Sequence, residues 1–150
     1  MTFLFIIIGI LIAILLFMYS KNTQQPNNLG IKNGRLTPLP NKPNCVSTQT
    51  TMGGKKIIPL PFKDNLVKSR EEILCIIKSF PNTNIIEMKE DYIYVVFKTY
   101  RMKFYHDVEF YFDIKNKAIH YRSASRVGYS DLGLNRKRYN IIRNMYFKNI

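Results

Sequence analysis

Asp107 and Glu109 lie two residues apart in a stretch, residues 104–113, that reads as a β-strand. Alternation turns positions i and i+2 to one face, which sets the two carboxylates about 6 to 7 Å apart. That separation suits a general acid and base working as a pair in hydrolysis. It also suits an ion-pair ladder. Residues 117–124 read as a second strand, joined to the first by a tight turn around Lys115-Asn116 with Ile114 opposite Lys117. In that register Glu109 faces Arg122, Tyr111 faces His120 and Asp107 faces Ala124. Glu109 is then neutralised by Arg122, and Asp107 by Arg126 or Arg136. A carboxylate beside a guanidinium needs no perturbed pKa, so the ladder is the preferred reading.

The loop after the hairpin, Ser125-Arg126-Val127-Gly128-Tyr129-Ser130-Asp131-Leu132-Gly133, leads into a helix expected from about Asn135. Backbone N–H groups at a helix start, with arginines on either side, suit an anion. The same residues are also accounted for if Ser130 or Asp131 holds loop donors and Asn135 caps the helix. Asp107, Glu109, Arg122, Ser123, Ser125, Arg126, Asp131, Asn135 and Arg136 are therefore expected to form one continuous charged cluster, the candidate ligand-binding site. A nucleophilic site built on Cys45 and His120 lacks a third orienting group at a telling spacing. Alternation sends His106 and His120 to opposite sheet faces. No metal site and no cofactor is expected.

These side chains need a scaffold. The hairpin alternates cleanly: Val108, Phe110, Phe112, Ile119 and Tyr121 form one face, and Asp107, Glu109, Tyr111, His120 and Arg122 form the other. Residues 85–88 and 92–101 read as two further strands, the second rich in Tyr, Ile and Val. Asp64 is placed to cap a helix carrying Leu66, Ile73, Leu74, Ile77 and Phe80 at three- and four-residue spacing, with Pro81 beyond its end. In the C-terminal helix Tyr139, Ile142 and Tyr146 make an apolar stripe, and Arg136, Lys137, Arg138 and Arg143 spread around the rest. Two prolines break the apolar run 57–62, which suits an extended edge segment. Cys45 and Cys75 fit no metal spacing; a single bridge is open to them, but Cys75 reads more simply as a small buried hydrophobe. The fold class is α+β: an antiparallel sheet with about two packed helices, preceded by one N-terminal transmembrane helix.

Residues 2–19 carry no charge and no proline, enough for a helix of about 27 Å. A basic n-region and a small-residue cleavage site are missing, and the first cysteine lies too far downstream for a lipoprotein signal, so a retained single-pass anchor is preferred over a removed signal. Lys21, Lys32 and Arg35 favour a cytoplasmic domain, a weak vote that leaves the side open. The expected organisation is an anchor over 1–20, a linker and irregular lead-in over 21–44, dense in Asn, Pro and Gly, and one globular domain over 45–150. The formal charge of +13, from 23 Lys and Arg against 10 acids, favours anionic partners, though a general Lys bias accounts for much of it. The expected partner is the lipid bilayer, with an anionic ligand or a protein as occupant of the cluster. The anchor argues against nucleic acid.

With these elements in place, several runs carry a family likeness: Pro43-Asn44-Cys45-Val46-Ser47, Ile58-Pro59-Leu60, Asp107-Val108-Glu109-Phe110, and the long run from Arg122 through Gly128-Tyr129-Ser130-Asp131-Leu132-Gly133 to Arg136. Across about 41–143 the chain resembles the domain-of-unknown-function family 1499. The resemblance implies a small α+β domain, commonly preceded by a transmembrane or export segment, and no particular reaction. His106 stands where the family usually has an acid, and Lys98-Thr99 where it has Thr-Ser. The expected function is that of a membrane-tethered, non-enzymatic binding or accessory module; the alternative is a hydrolase-like enzyme using Asp107 and Glu109.

Overall fold

The computed structural model describes residues 2–148. Helix α1 (Thr2–Thr23) is 22 residues long and apolar enough to cross a membrane; its one buried residue is Asn22, near its C-terminal end. Helices α2 (Leu66–Ser79) and α3 (Leu134–Lys148) belong to an α+β fold built on a single large antiparallel sheet.

That sheet contains β3 (Cys45–Ser47), β4 (Leu60–Pro61), β5 (Thr83–Met88), β6 (Tyr92–Lys98), β7 (Tyr105–Asp113) and β8 (Ala118–Ser125), in the order β3-β8-β7-β6-β5, with β4 also on β8. Both β3 and β4 lie on the outer side of β8, so Pro61 costs the sheet no interior hydrogen bond. The β7–β8 register pairs Glu109 with Arg122, Tyr111 with His120 and Asp107 with Ala124, as the alternation requires. The hairpin's apolar face packs under both helices. Ile73, Ile76 and Ile77 of α2 and Tyr139, Ile142 and Tyr146 of α3 share one core with Val108, Phe110, Phe112, Ile119 and Tyr121.

Three details differ from the sequence reading. The cap of α2 is Asn65, whose side chain accepts from the Lys68 amide at 2.9 Å, while Asp64 pairs with the Lys68 ammonium. Cys75 is exposed and Cys45 buried; both are free thiols, with Cys45 Sγ 3.1 Å from the Lys42 carbonyl oxygen. Arg138 is buried rather than on the solvated side of α3, its guanidinium 4.7 Å from the centre of the Phe97 ring.

The largest addition concerns residues 24–44, which lie across the sheet face opposite α2 and α3. They contain a small hairpin, β1 (Ile31–Lys32) and β2 (Arg35–Leu36), whose turn residues Asn33 and Gly34 both have positive φ, at 51° and 71°. That backbone matches the right-handed twist of the flanking strands. Leu36 is buried with Tyr92, Tyr94 and Val96, and Leu29, Ile31, Tyr105 and Tyr111 pack around them. The Leu36 amide donates to Gln49 Oε1 at 2.8 Å, tying β2 to the chain that follows β3. Both faces of the sheet are therefore covered. Leu36→Ala is expected to destabilise the full chain by about 2 to 5 kcal/mol, measured by urea denaturation followed by circular dichroism; a change near zero shows that the segment does not contribute to the fold.

Candidate functional site

Under this lead-in segment the polar face of the hairpin is sealed. Glu109 is 0% exposed and Arg122 2%, and Arg122 Nη1 donates to Glu109 Oε2 at 2.6 Å. The other carboxylate oxygen, Oε1, accepts from the Tyr92 hydroxyl at 2.8 Å and from the Gly30 backbone N–H at 2.7 Å. Gly30 reaches it with φ at 101°, a conformation that a side chain would strain. Burial and the neighbouring Glu109 charge both push the Tyr92 phenol far up, so it stays a donor. The lead-in thus contributes one of the bonds that make a buried carboxylate tolerable.

Asp107, 2% exposed, is held by a two-nitrogen fork: Arg126 Nη2 donates to Oδ1 at 2.8 Å and Nε to Oδ2 at 3.0 Å. The Tyr94 hydroxyl adds a bond to Oδ1 at 2.5 Å, and its pKa is raised by burial and by that bond. The third guanidinium nitrogen, Arg126 Nη1, donates to the carbonyl oxygens of Thr23 at 3.1 Å and Asn22 at 3.3 Å. Those carbonyls close α1, where a helix leaves acceptors unfilled and its dipole favours a cation. Asn22 docks beside them: its Nδ2 donates to the Lys103 carbonyl at 2.9 Å, and its Oδ1 accepts from the Tyr105 amide at 3.0 Å. Arg126 therefore joins α1, β7 and the tyrosine layer in one contact.

Ser123, Ser125 and Asn135 belong to the opposite face, beneath α3. Ser123 Oγ donates to Asn135 Oδ1 at 2.5 Å, and Arg138 Nη1 donates to the same oxygen at 2.8 Å. Asn135 Nδ2 donates to the Asn44 carbonyl at 2.8 Å and to Ser125 Oγ at 3.0 Å. Ser125 Oγ also lies 2.8 Å from His106 Nδ1, a contact in which either the hydroxyl or the ring nitrogen can be the donor. Burial pushes the His106 pKa down to about 4, and the nearby Arg138 charge acts in the same direction. Asp131 serves the first turn of α3, accepting from the Asn135 amide at 2.7 Å and the Gly133 amide at 3.1 Å. Asn135 is thus a buried cross-link and Asp131 takes the capping role. Arg136 turns away to the carbonyls of Gly54 and Lys56, leaving Arg126 as the partner of Asp107.

The nine expected residues accordingly fall into separate groups rather than one continuous cluster. Asp107, Glu109, Arg122 and Arg126 share the covered face, Ser123, Ser125 and Asn135 the helix face, and Asp131 and Arg136 the rim. His106 lies beneath α3, whereas His120 stacks on Tyr111 on the other side with ring centres 5.8 Å apart. Among the described residues no group of three His, Cys, Asp or Glu is placed to hold a metal ion. Tyr92, Tyr94, Gly30, Asn22, Asn44 and Arg138 complete the polar arrangement and were missed by the sequence reading. The two tyrosines alternate with Ile93 along β6, a signal that could have placed them beside the acids.

A two-faced antiparallel sheet, two helices on one side and a tied-down strap on the other define an α+β domain following one long apolar helix. The chain belongs to the DUF1499 family, described as proteins of unknown function, whose model matches residues 35–145, from β2 into α3. No curated protein and no solved structure matches it.

Removing the counter-charge tests the buried pair. Arg122→Met is expected to cost about 3 to 5 kcal/mol, and Arg122→Met with Glu109→Gln much less than the sum of the two single changes; additive losses in urea denaturation argue against the pairing. His106 sets a pH dependence of known sign. Its stabilising contribution is complete above the ordinary value of 6.5 and falls away as pH drops toward about 4, because the unfolded chain takes up the proton first. The loss is of order 3 kcal/mol. His106→Phe should remove this part of the slope between pH 4 and 7, and an unchanged slope contradicts it.

Proposed function

We propose that the chain is a membrane-anchored, non-enzymatic accessory or binding module, held in one pose at the bilayer surface by its own buried charges. The observation that carries this reading is Arg126, whose guanidinium is shared between Asp107 on the sheet and the last carbonyls of α1. Removal of residues 1–20 would leave Asn22 and Thr23 but take away the helical turn, bonded through the Tyr19 and Ser20 carbonyls, that aims their own carbonyls at Arg126. Retention of α1 fits the bonded Asn22, and its uncharged length fits a span.

Acid/base hydrolysis is the weaker reading. A general acid or base must be reachable by substrate, whereas Glu109 and Asp107 are sealed and each has an arginine partner. A protein or an anionic partner has access to the rim, where Asp131 and Arg136 stand, and to the outer surface of the strap. The positive residues Lys21, Lys32 and Arg35 support a cytoplasmic orientation.

Membrane fractions of cells making the full chain test the anchor. The protein is expected to resist alkaline carbonate extraction and to keep residues 1–23 by mass spectrometry, while a chain starting at residue 24 leaves the membrane. A mature species lacking α1 overturns the proposal. The exposed Cys75, rather than the buried Cys45, is the thiol to label from either side: a cytoplasmic domain reacts with an impermeant maleimide only after the cells are opened.

A further inference from the structure

We propose that two loops, residues 99–104 between β6 and β7 and residues 126–133 between β8 and α3, form a second membrane contact that seats the domain in the bilayer interface beside α1. The proposal rests on the anchored reading of α1 and adds a surface and a depth to it.

Three observations converge. The first is attachment: the Lys103 carbonyl and the Tyr105 amide are both bonded to the Asn22 side chain, and Arg126 is bonded to the Asn22 and Thr23 carbonyls, so each loop is fastened where α1 ends. The second is depth. Met18, inside the uncharged stretch, lines a cleft of about 180 Å³ together with Phe104 of the first loop and Val127 and Leu132 of the second. Met18 precedes Asn22 by one helical turn, about 6 Å along the axis. The loops therefore reach back alongside residues that a spanning helix places at the lipid boundary.

The third is chemistry. Tyr100 and Met102 on the first loop and Tyr129 and Leu132 on the second are exposed, Leu132 at 97%. Lys103 lies 5.3 Å from the centre of the Tyr100 ring, and Arg101 stands between them in sequence. Aromatic residues with Lys and Arg among them are what a lipid headgroup layer accommodates, rings at the interface and cations against phosphate. The exposure of Leu132 is built in. Its φ is 53°, an unfavourable conformation for a branched residue, and it is fixed by its own amide donating to Ser130 Oγ at 3.2 Å and by the Asp131 bond to Gly133. An interfacial contact gives that outward leucine an apolar destination.

The chain has no tryptophan, so one introduced residue is the only reporter of its kind. Leu132→Trp, Tyr100→Trp, Leu11→Trp and Met88→Trp are each made in the full chain and reconstituted into vesicles of phosphatidylcholine and phosphatidylglycerol, with or without lipid brominated near the headgroup end or deeper in the acyl chain. Met88 is exposed at the end of the sheet away from the 99–104 loop. Expected are blue-shifted emission and strong quenching by shallow bromines for residues 132 and 100, quenching by deep bromines for residue 11, and neither for residue 88. Water-like, unquenched emission from residue 132 or residue 100, with residue 11 quenched, overturns the interfacial contact and leaves the anchor standing. Unquenched emission from residue 11 overturns both. Circular dichroism matching the parent chain qualifies each variant.

Discussion

Two carboxylates on one face of a strand cannot be covered until each is neutralised, and on β7 that constraint governs the whole side of the sheet away from α2 and α3. An isolated buried carboxylate is prohibitively costly, while a paired one with its remaining lone pairs filled is tolerable. Glu109 receives Arg122, the Tyr92 hydroxyl and the Gly30 amide; Asp107 receives the fork of Arg126 and the Tyr94 hydroxyl. Once these bonds are made, a segment rich in Asn, Pro and Gly can lie over the face and bury Leu36 against Tyr92, Tyr94 and Val96. The ion pairs and the strap depend on each other, because the strap excludes the water that would otherwise solvate the pairs and supplies one of their donors.

Arg126 extends this dependence to α1. A guanidinium has enough donors to serve a carboxylate with two nitrogens and a helix end with the third. Helix α1 and the sheet are consequently joined by direct bonds rather than by a loose tether. A fixed attachment holds the rim in one orientation relative to α1, whereas a flexible tether gives an average over orientations.

Much of the fold was legible in the residues because it follows from alternation. The β7–β8 register, the burial of Val108, Phe110, Phe112, Ile119 and Tyr121, and the stripe of Tyr139, Ile142 and Tyr146 all come from period two or period three-and-a-half patterns that a single element carries within itself. The separation of Ser123 and Ser125 from Arg122 follows from the same alternation, had it been carried to the end of β8. Other features are set by tertiary contact. Nothing local distinguishes Asn65 from Asp64 as a cap, or shows that Arg138 will be drawn inward by Asn135 Oδ1 and the Phe97 ring. The strap has too few apolar residues to show a period, and its buried leucines are held by partners outside it, Leu36 by Gln49 and the tyrosines of β6 and Leu39 by Cys45 and Ala124. Composition alone reads such a stretch as a linker.

That the buried charges fasten strap, sheet and α1 together is tested most directly by residue-resolved amide hydrogen exchange on the full chain in lipid nanodiscs. The Gly30 and Tyr105 amides report it, because each donates to a side chain of another element, Glu109 and Asn22. Both should exchange as slowly as amides inside β7, with Glu109→Gln releasing Gly30 and Arg126→Gln releasing Tyr105. Exchange of the Gly30 amide at the rate of an unstructured chain in the parent protein would contradict the account.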